Sequence, residues 1–341
     1  MTNKNSNALS NIVHMVPGVI FLLIVGLVSK FVGGYIPHVS YLIVAIALGI
    51  IISNTISMPA FIEHGINSTY KIWLETGIVV LGARIVLADF LNVGPTILWM
   101  VIAFLIFTLL IVEFLASRFG LDKKFGSALA SGTSVCGVSA IIATSGGIEP
   151  KEKHIAYAIT TILIFDVVTV FLYPALGVIF SIPDKVFGVW AGISMFSTGT
   201  TVAAGFAHSD AAGQMATIVK MARNVFIGIW ALLYTIYYLR KGMTSQVIDK
   251  KLSYIWQKFP KMIIGFVIAM IVASSGLMSD VQIGYMKNAY NWLFMLAFVG
   301  LGYNINISEM KNEQAKPLLV VLIAFIITSA ASFGLAYLFF S

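Results

Sequence analysis

"SGTSVCGVSAIIATSGGIE", residues 131–149, is made mostly of Gly, Ser, Thr and Ala with one Cys, in a chain that elsewhere runs through long apolar stretches. Gly132, Gly137, Gly146 and Gly147 each lower helix stability by about 1 kcal/mol relative to Ala. In lipid, every backbone N–H and C=O that a helix releases must find another partner, so a break is tolerated only where protein or a cavity surrounds it. A span of this composition is therefore expected to break partway across the membrane. The N-terminus of the second half-helix is then a positive pole suited to an anion. Ser131, Thr133, Ser134 and Ser139 add hydroxyl donors, and Cys136 reads as a small packing residue. A second stretch, Ser197, Thr198, Gly199, Thr200 and Thr201, followed by Ala203, Ala204 and Gly205, has the same chemistry. Close helix packing through small residues is the other reading of each stretch; two of them, each rich in hydroxyls, favour a site.

The rest of the chain sets the environment. Of 341 residues, 59% are hydrophobic and 10% are charged, whereas a soluble domain carries about 25% charged residues. So few charges cannot cover a water-facing surface. The pattern is that of an all-α polytopic membrane protein, and strand-sized alternation, the mark of a membrane barrel, is absent. Eleven spans are expected, near 16–33, 36–56, 71–92, 95–117, 125–146, 154–180, 188–206, 211–240, 260–278, 289–306 and 317–340. The first reads as a membrane helix and not as a cleaved leader, since no A-x-A site follows it. Pro37, Pro95 and Pro317 stand where a helix-opening proline is tolerated.

The net charge of +7 is attributed to loops and not to nucleic-acid binding. With the N-terminus in the cytoplasm, fourteen of the 21 Lys and Arg fall on that side and four on the other. By the positive-inside rule this places a tail, residues 1–15, inside and the C-terminus outside. Residues 16–340 form one membrane domain. Its longest polar connector, 241–260, carries an interfacial helix at "VIDKKLSYIWQKF" (247–259). The single cysteine excludes an intrachain disulfide, and no cofactor motif or metal-ligand spacing occurs.

Two internal similarities suggest a two-halved bundle. "GIVVLGARIVLADFLNVGP" (77–95) resembles "FMLAFVGLGYNINISEMKNEQAKP" (294–317): each has a glycine (Gly82, Gly302), an amphipathic tail with an acid (Asp89, Glu309), then Pro and another span. These helices run in opposite directions in the expected topology, as an inverted repeat requires. "SGTSVCGVSA" (131–140) also resembles "STGTTVAAG" (197–205), but in the same direction, so the exact pairing stays open.

Arg84, Asp166, Lys220 and Arg223 fall within apolar runs, where a centred charge costs about 2.5–3.5 kcal/mol on insertion scales. Lys220, Arg223 and Asn224 share one helix face by their spacing. Three cations and one acid facing one cavity would favour an anionic substrate. Asp166 is read either as a plain ion-pair partner or as a titrating coupling group. Arg84 is read as gating, or as snorkelling to the outer interface. Glu75 and Glu113 read as interfacial.

At these motifs the sequence resembles a known family. "GIVVLGARIVLADF", "SGTSVCGVSAIIATSGGIE", "HIAYAITTILIFDVVTVFLYP" and "TIVKMARN" are similar to the sulfate exporter family of conserved bacterial membrane proteins, over roughly residues 16–340. That family is grouped with the bile acid/sodium symporter superfamily. The resemblance implies two inverted five-helix repeats plus one extra N-terminal helix, core and panel domains, and broken helices crossing at the midplane. It implies that Ser131 to Ser139 line the site with Asp166 beside them, and it matches Lys220 and Arg223 to a "VK-x-x-R" helix. It also implies a bacterial inner membrane, and analogy with the superfamily leaves a homodimer open. One departure stands out. Phe196 and Ser197 occupy places where members usually carry a His and an acid, and Thr200 one where Gln or Ser is usual.

The expected function is a secondary transporter, an exporter of a small sulfate-like anion, working by alternating access with a proton or sodium ion as coupling partner. The anion would sit at the half-helix N-termini of 131–139 and 197–201. The alternatives are a sodium- or proton-coupled symporter of an organic acid and a non-transporting membrane sensor or scaffold. An enzyme is not expected, because no Ser/His/Asp arrangement or H-E-x-x-H pattern is present.

Overall fold

The structure is a computed structural model that describes residues 3–36, 40–85, 87–244, 251–310 and 315–341. Pro37 and the first residues of the expected interfacial helix (247–250) lie outside the described residues. Among the described residues the chain is helical, with no strand. Each apolar run expected to span is helical over most of its described residues. Five helices are long and apolar enough to cross a membrane: Met15–Gly33, Val93–Arg118, Glu152–Ile179, Asp210–Arg240 and Ala315–Phe340. A sixth is reached if Lys251–Lys258 and Met262–Ser274 count as one bent span. Other expected spans are short, as Tyr41–Thr55 is at 15 residues, or interrupted, as described below.

Several boundaries differ from the sequence reading. The first helix runs unbroken from Asn3 to Gly33, so the expected tail and first span are one element. Pro95 lies inside the Leu87–Arg118 helix and does not open it. Pro317 stands in the first turn of Ala315–Phe340, where its missing N–H is harmless. The span expected near 71–92 ends as a helix at Gly82. Three tight bonds follow: Ala83 N–H to Val80 O (3.1 Å), Arg84 N–H to Leu81 O (2.9 Å) and Ile85 N–H to Gly82 O (3.1 Å). The 3₁₀-type turn consumes orphan carbonyls and stops the helix. Arg84 therefore sits in a helix-terminal turn and not within a span, with its Nε buried and without a hydrogen-bond partner among the described residues.

The chain divides into two compact units, Met1–Asp89 with Ile264–Ser308, and Phe90–Ile263 with Glu309–Ser341. In the first unit the glycines picked out by the internal similarity pack in the same way. A Cβ on Gly82 would stand 2.4 Å from Phe266 O, and one on Gly302 would stand 2.2 Å from Ile46 O. Each glycine thus lets a neighbouring helix seat backbone against backbone. The two similar stretches also both end where the chain passes from the first unit to the second, at Asp89/Phe90 and Ser308/Glu309.

The second unit is built around Val112, Phe125, Leu129, Ile141, Ile162, Phe165 and Phe196. Both small-residue stretches lie in it. So does the Lys251–Lys258 helix, where Leu252 and Trp256 are exposed and the Lys261 ammonium lies 3.8 Å from the centroid of the Trp256 ring. Apolar and cationic groups together on an outward face suit an interfacial position.

Candidate functional site

Both small-residue stretches are broken helices. Asp122 caps the first by accepting from the Lys124 and Phe125 amides at 3.0 and 3.2 Å. After Lys123–Ser131 the helix widens into a π turn, Gly132–Cys136, closed by Gly137 N–H to Gly132 O at 2.8 Å. Gly137 then takes φ 65°, ψ −132°, and a new helix, Val138–Ile148, begins. The second stretch ends one helix at Ser194, passes through extended backbone at Met195 and Ser197, and begins Thr198–His208. The breaks touch: a Cβ on Gly137 would lie 2.3 Å from Ser197 Oγ and 3.3 Å from Ile162 Cγ2.

Gly137 is required twice, by a backbone conformation that L side chains resist and by this contact. Gly137→Ala is expected to destabilise the protein by about 3 kcal/mol. Adding Ser197→Gly, which removes the clashing hydroxyl, should recover part of the loss. Thermal unfolding of the purified single and double variants measures both effects.

Each break exposes the negative end of a half-helix, whose last carbonyls have no partner within it. The Asp210–Asn224 helix supplies the donors. Arg223 Nη2 donates to Thr133 O (3.0 Å) and Ser134 O (2.7 Å), and Nε to Ser134 O (3.2 Å). Its Nη1 donates to Gly192 O (3.0 Å), Met195 O (2.9 Å) and Ile193 O. One guanidinium therefore clasps both breaks. Lys220 Nζ donates to Val135 O (3.3 Å), Met195 O (2.9 Å) and Phe196 O. Neither cation is solvated: Lys220 is 0% exposed and Arg223 3%.

The positive pole of the second break is also taken. Asp166, on the Glu152–Ile179 helix, accepts at Oδ1 from the Ser197 N–H (3.1 Å) and the Thr200 hydroxyl (3.0 Å). Its carboxylate sits where the sequence reading placed a substrate anion. Asp166 is buried, and no Lys or Arg nitrogen lies within 4 Å of it among the described residues. The plain ion pair is thus not the arrangement found. Asn224 is wholly buried, donates from Nδ2 to Thr198 Oγ1 at 3.0 Å, and leaves Oδ1 without a partner among the described residues.

The hydroxyls expected to donate to a ligand are mostly turned inward. Ser131 donates to Ala128 O (2.9 Å), Thr133 to Leu129 O (2.9 Å) and Ser134 to Ala130 O (2.6 Å). Thr201 donates to Ser197 O at 2.7 Å. Such back-bonding to carbonyls one turn earlier is the usual habit of Ser and Thr in apolar helices. Cys136 is buried, while Ser139, at the start of Val138–Ile148, is exposed. Gly132, Thr198, Gly199 and Thr200 stay at the breaks, so the second unit brings together every expected site residue except Arg84, which belongs to the first. The sequence reading missed what the cations hold. Their spacing showed a shared face, but nothing showed that the face meets backbone carbonyls.

Phe196 packs with ring centroids 5.8 Å from Phe165 and 5.7 Å from Phe325. This chain thus has an aromatic cluster at Phe196.

Several long apolar helices, and two helices broken where they meet around buried cations and an acid, define an integral membrane protein with a polar interior. Comparison with known proteins agrees. The chain belongs to the conserved hypothetical protein 698 family, whose model matches residues 17–321. A "UPF0324 membrane protein" of Nitratidesulfovibrio vulgaris is 30% identical over 317 residues, covering 88% of this chain and 86% of that protein. A protein of the same description from Clostridium tetani is 28% identical over 330 residues, covering 91% and 95%. The "UPF0324 inner membrane protein YeiH" of Escherichia coli is 28% identical over 322 residues, covering 92% and 90%. These relatives are bacterial membrane proteins. No solved structure matches the chain.

Proposed function

We propose that this protein is a secondary transporter of a small anion, sulfate-like or a small carboxylate or sulfonate, in a bacterial inner membrane. The observation that carries the reading is the charge of the crossing. Lys220, Arg223 and Asp166 are all buried within it, and the formal sum is +1. A desolvated excess of positive charge favours an anion. The amide end of Val138–Ile148, with the exposed Ser139 hydroxyl, is the pole left for it, because Asp166 holds the other.

Coupling follows from that occupancy. Asp166 and an incoming anion compete for the same kind of donor. A proton on Asp166 removes its charge, raises the formal sum to +2, and loosens its hold on the Ser197 amide and Thr200 hydroxyl. Those donors then serve the anion, so proton and anion favour each other's binding, as linkage requires. Broken helices around a midmembrane site are the recurrent plan of secondary transporters that work by alternating access. The internal similarity and the resemblance to the bile acid/sodium symporter superfamily support inverted repeats. The Lys/Arg distribution supports a cytoplasmic N-terminus.

The aromatic cluster at Phe196 favours a second reading, a rigid scaffold that transports nothing. One experiment separates the two. Protein reconstituted in liposomes is given labelled sulfate, and then small carboxylates and sulfonates, with and without an imposed proton or sodium gradient. Saturable accumulation of one anion, driven by the proton gradient, is expected. Accumulation driven by sodium alone would overturn the coupling assigned to Asp166, and no saturable flux of any of them would favour the scaffold.

A further inference from the structure

We propose that the second unit carries another site, apart from the crossing, that binds an alkylammonium group at Glu113. A cavity of 460 Å³ opens beside this residue, near the end of the Leu87–Arg118 helix. Glu113 Oε1 accepts two hydrogen bonds, from Ser127 Oγ at 2.6 Å and from the Tyr234 hydroxyl at 2.7 Å. Ser127 Oγ is in turn 2.9 Å from the Tyr238 hydroxyl. Both bonds fall on one carboxylate oxygen. The other, Oε2, makes no hydrogen bond among the described residues, and no Lys or Arg nitrogen lies within 4 Å of either oxygen. Oε2 is turned toward Gly126, a wall residue of the cavity, and would lie 3.9 Å from a Cβ there.

Pinning neighbouring helices together explains one oxygen of Glu113 and leaves the second without a hydrogen bond among the described residues, on a residue that lines the cavity. An ionised carboxylate only accepts, so what meets Oε2 must donate a proton or carry positive charge. The remaining walls select among cations. Trp230, Tyr234, Tyr237 and Tyr238 line the cavity, with the exposed Lys123 also on its wall but not within 4 Å of a Glu113 oxygen, and aromatic faces attract ammonium and quaternary ammonium groups. The rim acid, Asp122, is engaged in capping the Lys124 and Phe125 amides and lies 3.8 Å from His154 Nδ1. Among the described residues no group of three or more His, Cys, Asp or Glu stands together, too few hard ligands for a metal ion, and the space is far larger than an ion needs. An organic ammonium head fits the charge, the aromatic walls and the volume together. Such a head can belong to an amine-bearing lipid at the membrane surface or to a free amine.

The test uses the full chain in nanodiscs of phosphatidylglycerol, which carries no amine. Choline and its neutral isostere 3,3-dimethylbutanol are titrated and followed by calorimetry. Choline is expected to bind at least about tenfold more tightly than the isostere, and Glu113→Gln should lose that preference. Gln keeps an oxygen for the Ser127 and Tyr234 hydroxyls, so the variant should fold, and its unfolding midpoint checks this. The choline–isostere comparison on the unaltered protein needs no variant at all. In a second arm the protein is taken from bilayers containing phosphatidylethanolamine and its retained lipids are weighed by native mass spectrometry. Amine lipid held by the unaltered protein and lost in Glu113→Gln assigns the lipid as source; choline binding without retained amine lipid assigns a free amine. Equal binding of choline and isostere with no retained amine lipid, or a Glu113→Gln protein indistinguishable from the unaltered one, overturns the proposal.

Discussion

Arg223→Ala is expected to leave little folded protein in the membrane fraction. The guanidinium is 3% exposed and donates to Thr133, Ser134, Gly192, Ile193 and Met195, the last carbonyls of the two half-helices that lead into the breaks. Truncation strands four of these acceptors where water does not reach, Met195 O keeping Lys220. An unsatisfied buried polar group costs about 1–3 kcal/mol. Even with some overlap the loss should exceed about 4 kcal/mol, against a typical total stability of about 5–15 kcal/mol. Arg223→Lys tests the geometry. One ammonium is a point charge and cannot span both breaks as the planar fork does, so its rescue should be partial. Lys220→Met should cost less than Arg223→Ala, because it strands fewer carbonyls and leaves Arg223 on Met195 O. Quantifying detergent-soluble, monodisperse protein together with unfolding midpoints ranks the three. An Arg223→Ala protein as stable as the original would show that the breaks do not depend on the clasp.

Asp166→Asn is expected to remove gradient-driven accumulation while sparing the fold. Asn still offers an oxygen to the Ser197 amide and the Thr200 hydroxyl, so the cap on Thr198–His208 survives at reduced strength. The variant carries no proton-linked charge change. It should bind anion with the crossing fixed at +2 and exchange it downhill, but it should not concentrate it against a gradient. Loss of accumulation of at least about 100-fold corresponds to about 2.7 kcal/mol of lost coupling, within the usual range. The sign of the pH effect follows. Anion binding to the unaltered protein should strengthen as pH falls, and in Asp166→Asn that slope should vanish. Counterflow and gradient-driven uptake, assayed on the same liposomes, separate lost coupling from lost binding.

The sequence was most readable where composition acts through a single physical rule. Glycines and hydroxylated residues in an apolar run weaken a helix that lipid would otherwise keep intact, and both such runs are broken, at Gly137 and at Met195–Ser197. Of the four charges within the apolar runs, Asp166, Lys220 and Arg223 lie at the breaks, with Asn224 beside them, while Arg84 belongs to the other unit. What each one holds was not legible. The anion expected at the half-helix N-termini is, at the second break, the chain's own Asp166, and the cations expected to face a ligand face carbonyls. These are partnerships between residues 24 to 90 positions apart, and no local pattern encodes them. Helix ends were misplaced where a tertiary or turn preference overrode hydropathy: the apolar run through Arg84 stops at Gly82, and Pro95 is carried within a long helix. The hydroxyl partners of Glu113 come from two other helices, which no local pattern shows.

The most direct test of the crossing's charge balance counts protons taken up as the anion binds. Calorimetric titration of a transported anion into purified protein, repeated in buffers of differing ionisation enthalpy, yields that number. The account predicts net uptake of about one proton per anion at pH values where Asp166 is ionised, and none in Asp166→Asn. Anion binding with no proton uptake by the unaltered protein, or with the same uptake by the variant, would contradict it.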